Sequence, residues 1–261
     1  MYHSITFGDK NTWTDWCLIP ESDPVVVPPT QKTNYLDIPG ASGSLDMSEV
    51  LTGYPIFNNR EGSFTFIAMN DSAVLQPECH PDKLRRLAST IMNYLHGKEM
   101  TMVLEDDYGF YYKGRFSLES INPEEGFSKI TIHYNVEPYK TSIYGSMNDW
   151  LWDTFNFETD VITRGLLTDI EVTNVWQYID LTEDIIGTKP ITADYTIASL
   201  NGQGVYLRFV NETLGIDSTK LFPNGTYNDP DFIIYGSGVR VYYRVSSSTG
   251  TLSINYNAGR L

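Results

Sequence analysis

The stretch Pro39-Gly-Ala-Ser-Gly-Ser-Leu-Asp46 contains residue types that can hold a phosphate or a nucleophile. A nucleophile elbow requires Gly-x-Ser-x-Gly, and here Gly43 follows Ser42 one residue too early. A Walker-type phosphate loop requires a lysine after its second glycine, and no lysine lies between Lys32 and Lys83. The Rossmann spacing of glycines is also absent. The stretch therefore predicts a turn, in which proline fixes φ and the glycines supply positive φ.

The acidic run Glu105, Asp106 and Asp107 could bind a divalent cation. Adjacent residues of a strand point to opposite faces, so the three carboxylates cannot easily share one ion. The alternating acids and closing glutamate of a calcium-binding loop are missing. Since Asp and Gly are also favoured turn residues, the run predicts the turn of a β-hairpin and no metal site.

A zinc site could be imagined from Cys79 and His80 together with Cys17 and His96. None of the paired spacings of zinc ligands is present, so we expect the cysteines to be reduced. We expect His80 to cap the start of a helix and His96 to be a cation near the C-terminal end of that helix. The other histidines are expected in a flexible chain start and on a solvated strand face: His3 and His133. The possibility of a Ser-His-Asp or Cys-His catalytic site stays open, because the residues of such a site come together only in the folded chain.

Sugar chemistry is the last candidate. Paired carboxylates could hydrolyse a glycosidic bond, but nothing selects a pair among 33 acidic residues. The tryptophans Trp13, Trp16, Trp150 and Trp152 could stack on sugar rings, although aromatic residues at such spacing more often fill a core or an interface. We therefore predict no catalytic residue, no cofactor and no metal, and we assign no substrate-binding residue.

The charge balance excludes several partners. The chain has 18 basic and 33 acidic residues, a formal net charge of −15. Both halves are acidic and repel polyanions, so we expect no binding of nucleic acid and none of anionic lipid. The sequence shows no apolar stretch typical of a signal peptide or a membrane span.

The first half predicts strands and one helix. Its start is rich in proline and predicts an extended arm, of which valines 25–27 could add to a sheet edge. Residues 57–69 predict two strands separated by a turn at Gly62. Apolar residues recur at helical spacing within 81–96. The segment 129–136 alternates strictly, which is typical of an antiparallel strand with one solvated face.

The second half predicts a β-sandwich. The aperiodic segment EPYKTSIYGSMND marks a linker, which we place at 141–150. Beyond it many short strands with turn signals are typical of two packed sheets spanning 151–261. The predicted strands are 169–174, 175–182, 193–199, 204–210, 232–235, 239–245 and 251–256.

The order of these segments resembles a known family. SITFGDKNTWTDW opens the chain, and KTNYLDIPGASGSLDMSEVLTG follows the proline-rich arm. NNREGSFTF, a helix ending in LHGK, LEDDYGFYYKGR, VEPYKTS and DWLWDTFNFETDVI come next. Together they resemble the distal tail proteins of siphophages over residues 1–160. The residues after 165 do not match that family.

The resemblance implies a mainly β fold. It implies an N-terminal β-barrel domain with one helix at 1–140, which assembles into a hexameric ring, and a galectin-like β-sandwich at 151–261. It implies a structural role at the distal end of the phage tail in the virion, where the ring joins the tail tube and tape measure protein to the baseplate hub and the receptor-binding proteins of host attachment. Two alternatives stay open. One is a carbohydrate-binding adhesion module acting through the C-terminal sandwich, and the other is a glycan hydrolase.

Overall fold

A computed structural model describes residues 3–40, 42–69, 84–123, 127–143, 166–181, 189–200, 202–246, 248–257 and 259–261. Most of these residues lie in strands and one segment forms an α-helix, which confirms the mainly β fold class. The chain divides into two compact units, Met1–Lys140 and Thr141–Leu261. Three assignments stay predictions: that the first unit forms a ring, that 141–150 is a linker, and that the second unit is an outer domain. Residues 144–150 of the linker lie outside the described residues.

The first unit is built on one antiparallel sheet that forms a half-barrel, consistent with the predicted mainly β fold. Seven strands follow the order β2-β1-β7-β8-β9-β6-β3, and β4 and β5 form a separate hairpin. The strand bounds are β1 Ile5–Phe7, β2 Lys10–Asn11, β3 Leu18–Pro20, β4 Tyr35–Asp37, β5 Ser44–Asp46, β6 Arg60–Met69, β7 Glu99–Leu104, β8 Phe110–Pro123 and β9 Phe127–Val136.

The core of the first unit follows from the alternation of buried and partly exposed residues along β9. Ile130, Ile132, Tyr134 and Val136 are buried, as the period of two predicts, and the residues between them are partly exposed. The buried side chains pack with residues of β1, β6, β7 and β8 in one apolar cluster. Burial of one face is what fixes the register of this strand between β6 and β8.

The single helix among the described residues, α1 (Leu84–Leu95), covers this sheet. Its apolar stripe buries Ala88, Ile91 and Leu95, and its polar face is exposed. Gly97 has φ of 77° and ends the helix, because glycine adopts this conformation without steric cost. The predicted helix began at 81, and residues 81–83 lie outside the described part of the chain.

Two expectations about the arm and Gly62 were wrong. Residues 25–27 form no strand, and Val26 is buried while its two neighbours are exposed. Gly62 lies inside the continuous strand β6, directly opposite Tyr134. The tyrosine ring crosses over the glycine, and its Oη accepts a hydrogen bond from the Val27 N–H at 3.0 Å. The glycine is therefore needed for a close approach and makes no turn.

Side chains hold the arm in place. The guanidinium of Arg60 is buried and donates from Nη1 to the carbonyl of Val27 at 3.4 Å and from Nε to that of Pro138 at 2.8 Å. The same guanidinium stacks on the ring of Tyr112 at 5.5 Å. The N–H and the carbonyl of Val27 are thus satisfied by side chains, where a strand would have used a neighbouring strand.

The expectation of reduced cysteines differs from the structure at Cys17. This residue has φ of 51° and is disulfide-bonded. Cys79, the second cysteine of the chain, lies outside the described residues.

The second unit is a sandwich of two four-stranded antiparallel sheets. One sheet has the order β11-β18-β13-β16 and the other β12-β17-β14-β15, and the inward side chains of both form one core. The bounds are β11 Leu166–Val172, β12 Gln177–Asp180, β13 Ile191–Ser199, β14 Val205–Asn211, β15 Ile216–Phe222, β16 Gly225–Ile234, β17 Val239–Arg244 and β18 Gly250–Asn255, with short strands β10 Lys140–Ser142 and β19 Gly259–Arg260 outside this pair of sheets.

Asn211, which matches a glycosylation acceptor in the sequence, is a structural residue. Its side chain is fully buried, and Nδ2 donates to the carbonyls of Ile233 at 2.9 Å and Tyr235 at 3.1 Å. Its Oδ1 accepts from the N–H of Leu214 at 3.0 Å. This one amide therefore joins the end of β14 to the end of β16 and to the turn that follows β14. All three backbone groups have it as a hydrogen-bond partner.

Asn211→Ala is expected to destabilise the second unit by about 3 kcal/mol, because three buried backbone groups lose their partner. Urea unfolding followed by circular dichroism measures the change. Asn228→Ala is the control, since its exposed amide donates only to Asp194 at 2.8 Å. Equal effects of the two variants would contradict the role given to Asn211.

Candidate interaction surfaces

The glycine-containing stretch forms the loop of the β4–β5 hairpin. Gly40 and Gly43 have φ of 84° and 83°, and a Cβ at either position would meet open space. The glycines are thus required by backbone conformation and not by the close approach of another group. Asp46 at the base of the hairpin accepts hydrogen bonds from the N–H and hydroxyl of Ser48, which lower the pKa of Asp46. The structure places a turn here, as predicted.

The three acids of the run form a 3-10 turn between β7 and β8, and their carboxylates reach three different partners. Glu105 accepts from the N–H and hydroxyl of Ser4, Asp106 contacts the ring of His3, and Asp107 pairs with Lys140 at 2.5 Å. Because each carboxylate has its own partner, the run does not converge on one point. Within the described ranges no group of three or more His, Cys, Asp or Glu side chains could hold a metal ion.

His3 and Ser4 lie together without forming a nucleophile and base. The Ser4 hydroxyl donates to Glu105 at 3.0 Å, while His3 Nδ1 lies 2.8 Å from Asp106 and Nε2 lies 3.7 Å from Asp23. A catalytic pair requires the hydroxyl to donate to the imidazole. These contacts instead fasten the start of the chain to the β7–β8 turn, where we expected a flexible segment.

The ion pair makes the start of the chain sensitive to pH. The hydrogen bond to Asp106 raises the pKa of His3 above its usual 6.5. A group with a raised pKa in the folded state stabilises fully below its unfolded pKa and loses this contribution as pH rises through the folded pKa. We expect NMR titration of His3 to show a midpoint above 6.5, which Asp106→Asn lowers.

Asp107→Asn is the matched control, because this neighbouring carboxylate pairs with Lys140. A His3 midpoint that responds equally to both replacements would show that general charge, and not the direct contact, sets its pKa.

The other predicted residues are dispersed. Nε2 of His96 accepts a hydrogen bond from the Leu118 N–H at 3.1 Å, so the side chain acts as an acceptor here, whereas we expected a cation. Trp16 is buried in the core between Phe7 and Tyr94, as the core-filling interpretation predicts. Trp13 and His133 are both half-buried, His133 within β9. Four other candidates lie outside the described residues: Cys79, His80, Trp150 and Trp152.

Among the residues that the structure describes, we identify two surfaces that could contact a partner. The first, which we call the hairpin patch, is an exposed apolar set on the β4–β5 hairpin and the loop after it: Tyr35, Leu36, Ile38, Leu45, Val50 and Leu51. Leu36 and Leu45 are directly opposite in the hairpin register, so their side chains share one face. They are 55% and 48% exposed.

The second surface, the aromatic–arginine face, is the outer side of the β12-β17-β14-β15 sheet in the second unit. It combines aromatic rings and guanidinium groups at alternate positions of neighbouring strands: Trp176, Tyr178, Tyr206, Tyr242, Arg208, Arg240 and Arg244. Arg244 stacks on Trp176 at 4.8 Å and on Tyr206 at 5.4 Å, and Arg208 stacks on Tyr242 at 5.5 Å. Sequence reasoning missed this set because its members are far apart along the chain.

The opposite sheet of the same unit has a shallow recess of about 310 Å³. It is lined mainly by polar residues near the start of β13 and the end of β18, including Lys189, Asp194 and Asn257. Asp194 is already engaged by the amide of Asn228 at 2.8 Å. The recess brings together no nucleophile and base.

The comparisons with known proteins establish the fold. No protein-family model matches the chain, and no curated protein matches it. In the described part of the chain, no helix is long and apolar enough to cross a membrane. Among solved structures the chain is similar to the Dit protein of phage SPP1, described as a paradigm of the hub adsorption apparatus in phages infecting Gram-positive bacteria. The two share 14% identity with a TM-score of 0.61, over 97% of this chain and 98% of SPP1 Dit. The chain therefore has the fold of SPP1 Dit over nearly its whole length.

Proposed function

We propose that this protein is a structural, non-enzymatic component of a siphophage tail, a distal tail protein whose subunits form a hexameric ring in the virion. The ring joins the tail tube and tape measure protein to the baseplate hub and the receptor-binding proteins used in host attachment. The first unit forms the ring and the second, a galectin-like sandwich, is its outer domain.

The single observation that carries the proposal is the end-to-end likeness of fold to SPP1 Dit, a protein of a phage adsorption apparatus. Both units take part in the likeness, since the alignment covers 97% of this chain. Fold alone does not carry function, so the surfaces of this chain must also suit an assembly.

The hairpin patch supports self-association. A two-stranded hairpin is marginally stable alone in water, and this one carries apolar residues that contact no core of the described chain. Covering the patch by a second copy removes that apolar surface from water. A closed ring requires each subunit to offer two different surfaces, of which the hairpin patch is one.

The test is the mass and shape of the purified protein. Size-exclusion chromatography with light scattering should give a mass above that of the 29.6 kDa chain, and negative-stain microscopy should show closed rings. The measurement is repeated with the hub protein added, because some rings need a partner to close. A monomer under both conditions at high concentration contradicts the proposal.

A further inference from the structure

The aromatic–arginine face presents ring faces in an ordered array. In the sheet register Tyr178 is opposite Tyr242, and Tyr242 is opposite Arg208, so these three side chains form one row across three strands. The rings of Tyr178 and Tyr242 are 5.4 Å apart. Trp176, two residues before Tyr178, lies on the same side of the edge strand, and Tyr178 is 60% exposed. Trp176 and Tyr178 thus offer flat apolar surfaces to solvent along one edge of the face.

The polar groups beside these rings are held rigidly. Arg208 donates to the carboxylate of Asp217 through two bonds, Nε–Oδ1 at 2.8 Å and Nη2–Oδ2 at 2.6 Å. Arg240 pairs with Glu212 at 3.0 Å and with Asp180 at 3.5 Å. Bidentate and stacked guanidinium groups keep a fixed plane and still present unused N–H groups at their edges. Rigid planar donors and acceptors next to aromatic rings can bind the hydroxyl groups of a sugar whose apolar face lies on a ring.

The charges on and around the aromatic–arginine face favour a neutral ligand. The face carries three guanidinium groups and three carboxylates: Arg208 and Arg240 form ion pairs with Asp217, Glu212 and Asp180, whereas Arg244 stacks on two aromatic rings. The chain has a formal net charge of −15. A polyanion would meet little local attraction and a repulsive field from the whole molecule. Hydroxyl groups bind to paired ions without breaking the pairs, so neutral sugars suit this face.

The small area of the aromatic–arginine face favours a small ligand. Four strands and three rows of side chains span about 14 Å by 13 Å, roughly 200 Å², from the usual strand spacing and rise. A stable protein–protein interface buries about 800 Å² on each partner. The face is too small to be such an interface by itself, whereas it is large enough for two or three sugar rings.

We propose that the aromatic–arginine face binds a neutral glycan, with sugar rings stacked on Trp176 and Tyr178 and hydroxyl groups bound by the Arg208–Asp217 pair. This assigns a carbohydrate site to the second unit, and it does not depend on ring formation by the first.

Native affinity electrophoresis of the full chain tests the proposal. The acidic protein, with a sequence pI near 4.5, migrates through gels containing mannan, arabinogalactan, β-glucan or dextran, and through polygalacturonate as the anionic comparison. We expect at least one neutral polysaccharide to retard it. Tyr178→Ala and Trp176→Ala should each weaken this binding about tenfold or more, since each removes a stacking surface.

Tyr108→Ala is the matched control, because Tyr108 is 61% exposed on the first unit and is not part of the face. It should leave the retardation unchanged, and none of the three variants should change the oligomeric mass. Retardation lost only in the two face variants supports the site. The proposal is overturned by no retardation in any neutral polysaccharide, by retardation in polygalacturonate alone, or by retardation that survives both face variants.

Discussion

In the proposed ring, replacing Leu36 and Leu45 together with aspartate is expected to leave each subunit folded and to convert the assembly into monomers. Both side chains lie on one face of an exposed hairpin and belong to neither apolar core. Burying a leucine contributes about 1.5–3 kcal/mol, and a carboxylate at the same contact must lose its water. The double replacement should weaken each subunit contact by more than about 5 kcal/mol, roughly four orders of magnitude in Kd. Light scattering after size exclusion measures the mass directly.

Leu200→Asp is the control for added charge, because Leu200 is 80% exposed on a loop of the second unit. It should keep the mass of the unmodified protein. Thermal unfolding should give the same midpoint for all three proteins, which separates loss of assembly from loss of folding. An unchanged mass in the double variant would show that the hairpin patch is not a subunit contact.

The sequence predicted structure best where one face of an element is buried. The alternation of β9 and the apolar stripe of α1 both follow from burial against one core, so counting the period finds them. The strands of the sandwich core were found for the same reason. The exceptions are β15 and the first half of β16, whose residues are largely exposed or polar. An edge strand with little buried surface has little pattern to read.

The candidate surfaces could not be read from the sequence, since they depend on pairing between distant strands. Tyr178, Arg208 and Tyr242 become neighbours only through the register of β12, β17 and β14. Their chemistry is ordinary for separate surface residues, and only the sheet gives it a common plane. The motifs that the sequence did offer, a small-residue loop and an acidic run, are turns whose polar groups are used locally.

Sequence identity of 14% with SPP1 Dit is compatible with a shared fold for the same physical reason. A β fold is specified by which positions are apolar and where chains turn, and many residue combinations satisfy that pattern. Surface residues are free of this constraint. The hairpin patch and the aromatic–arginine face are therefore where this chain can differ from its structural neighbour in what it contacts.

Gly62→Ala is expected to destabilise the first unit by about 3–4 kcal/mol, although the position is inside a regular strand. A Cβ there would lie 2.7 Å from Cζ of Tyr134, which is too close for two carbons. The tyrosine cannot easily move, because its ring stacks on Phe64 at 4.7 Å and its Oη accepts from Val27. The added methyl group therefore strains β6 or breaks the hold on the arm. Urea unfolding measures the loss.

Two partner variants identify the cause. Tyr134→Leu shortens the side chain and should rescue part of the loss, so Gly62→Ala with Tyr134→Leu costs less than the sum of the single changes. Tyr134→Phe removes the hydroxyl oxygen, which is the atom nearest to the added Cβ, but leaves Cζ in place, so its rescue should be smaller than that of leucine. Additive costs for the Leu pair would mean that Gly62 acts through backbone freedom alone. A coupling found with leucine and much weaker with phenylalanine would place the conflict at the ring carbons Cζ and Cε1, and not at the hydroxyl group that holds the arm.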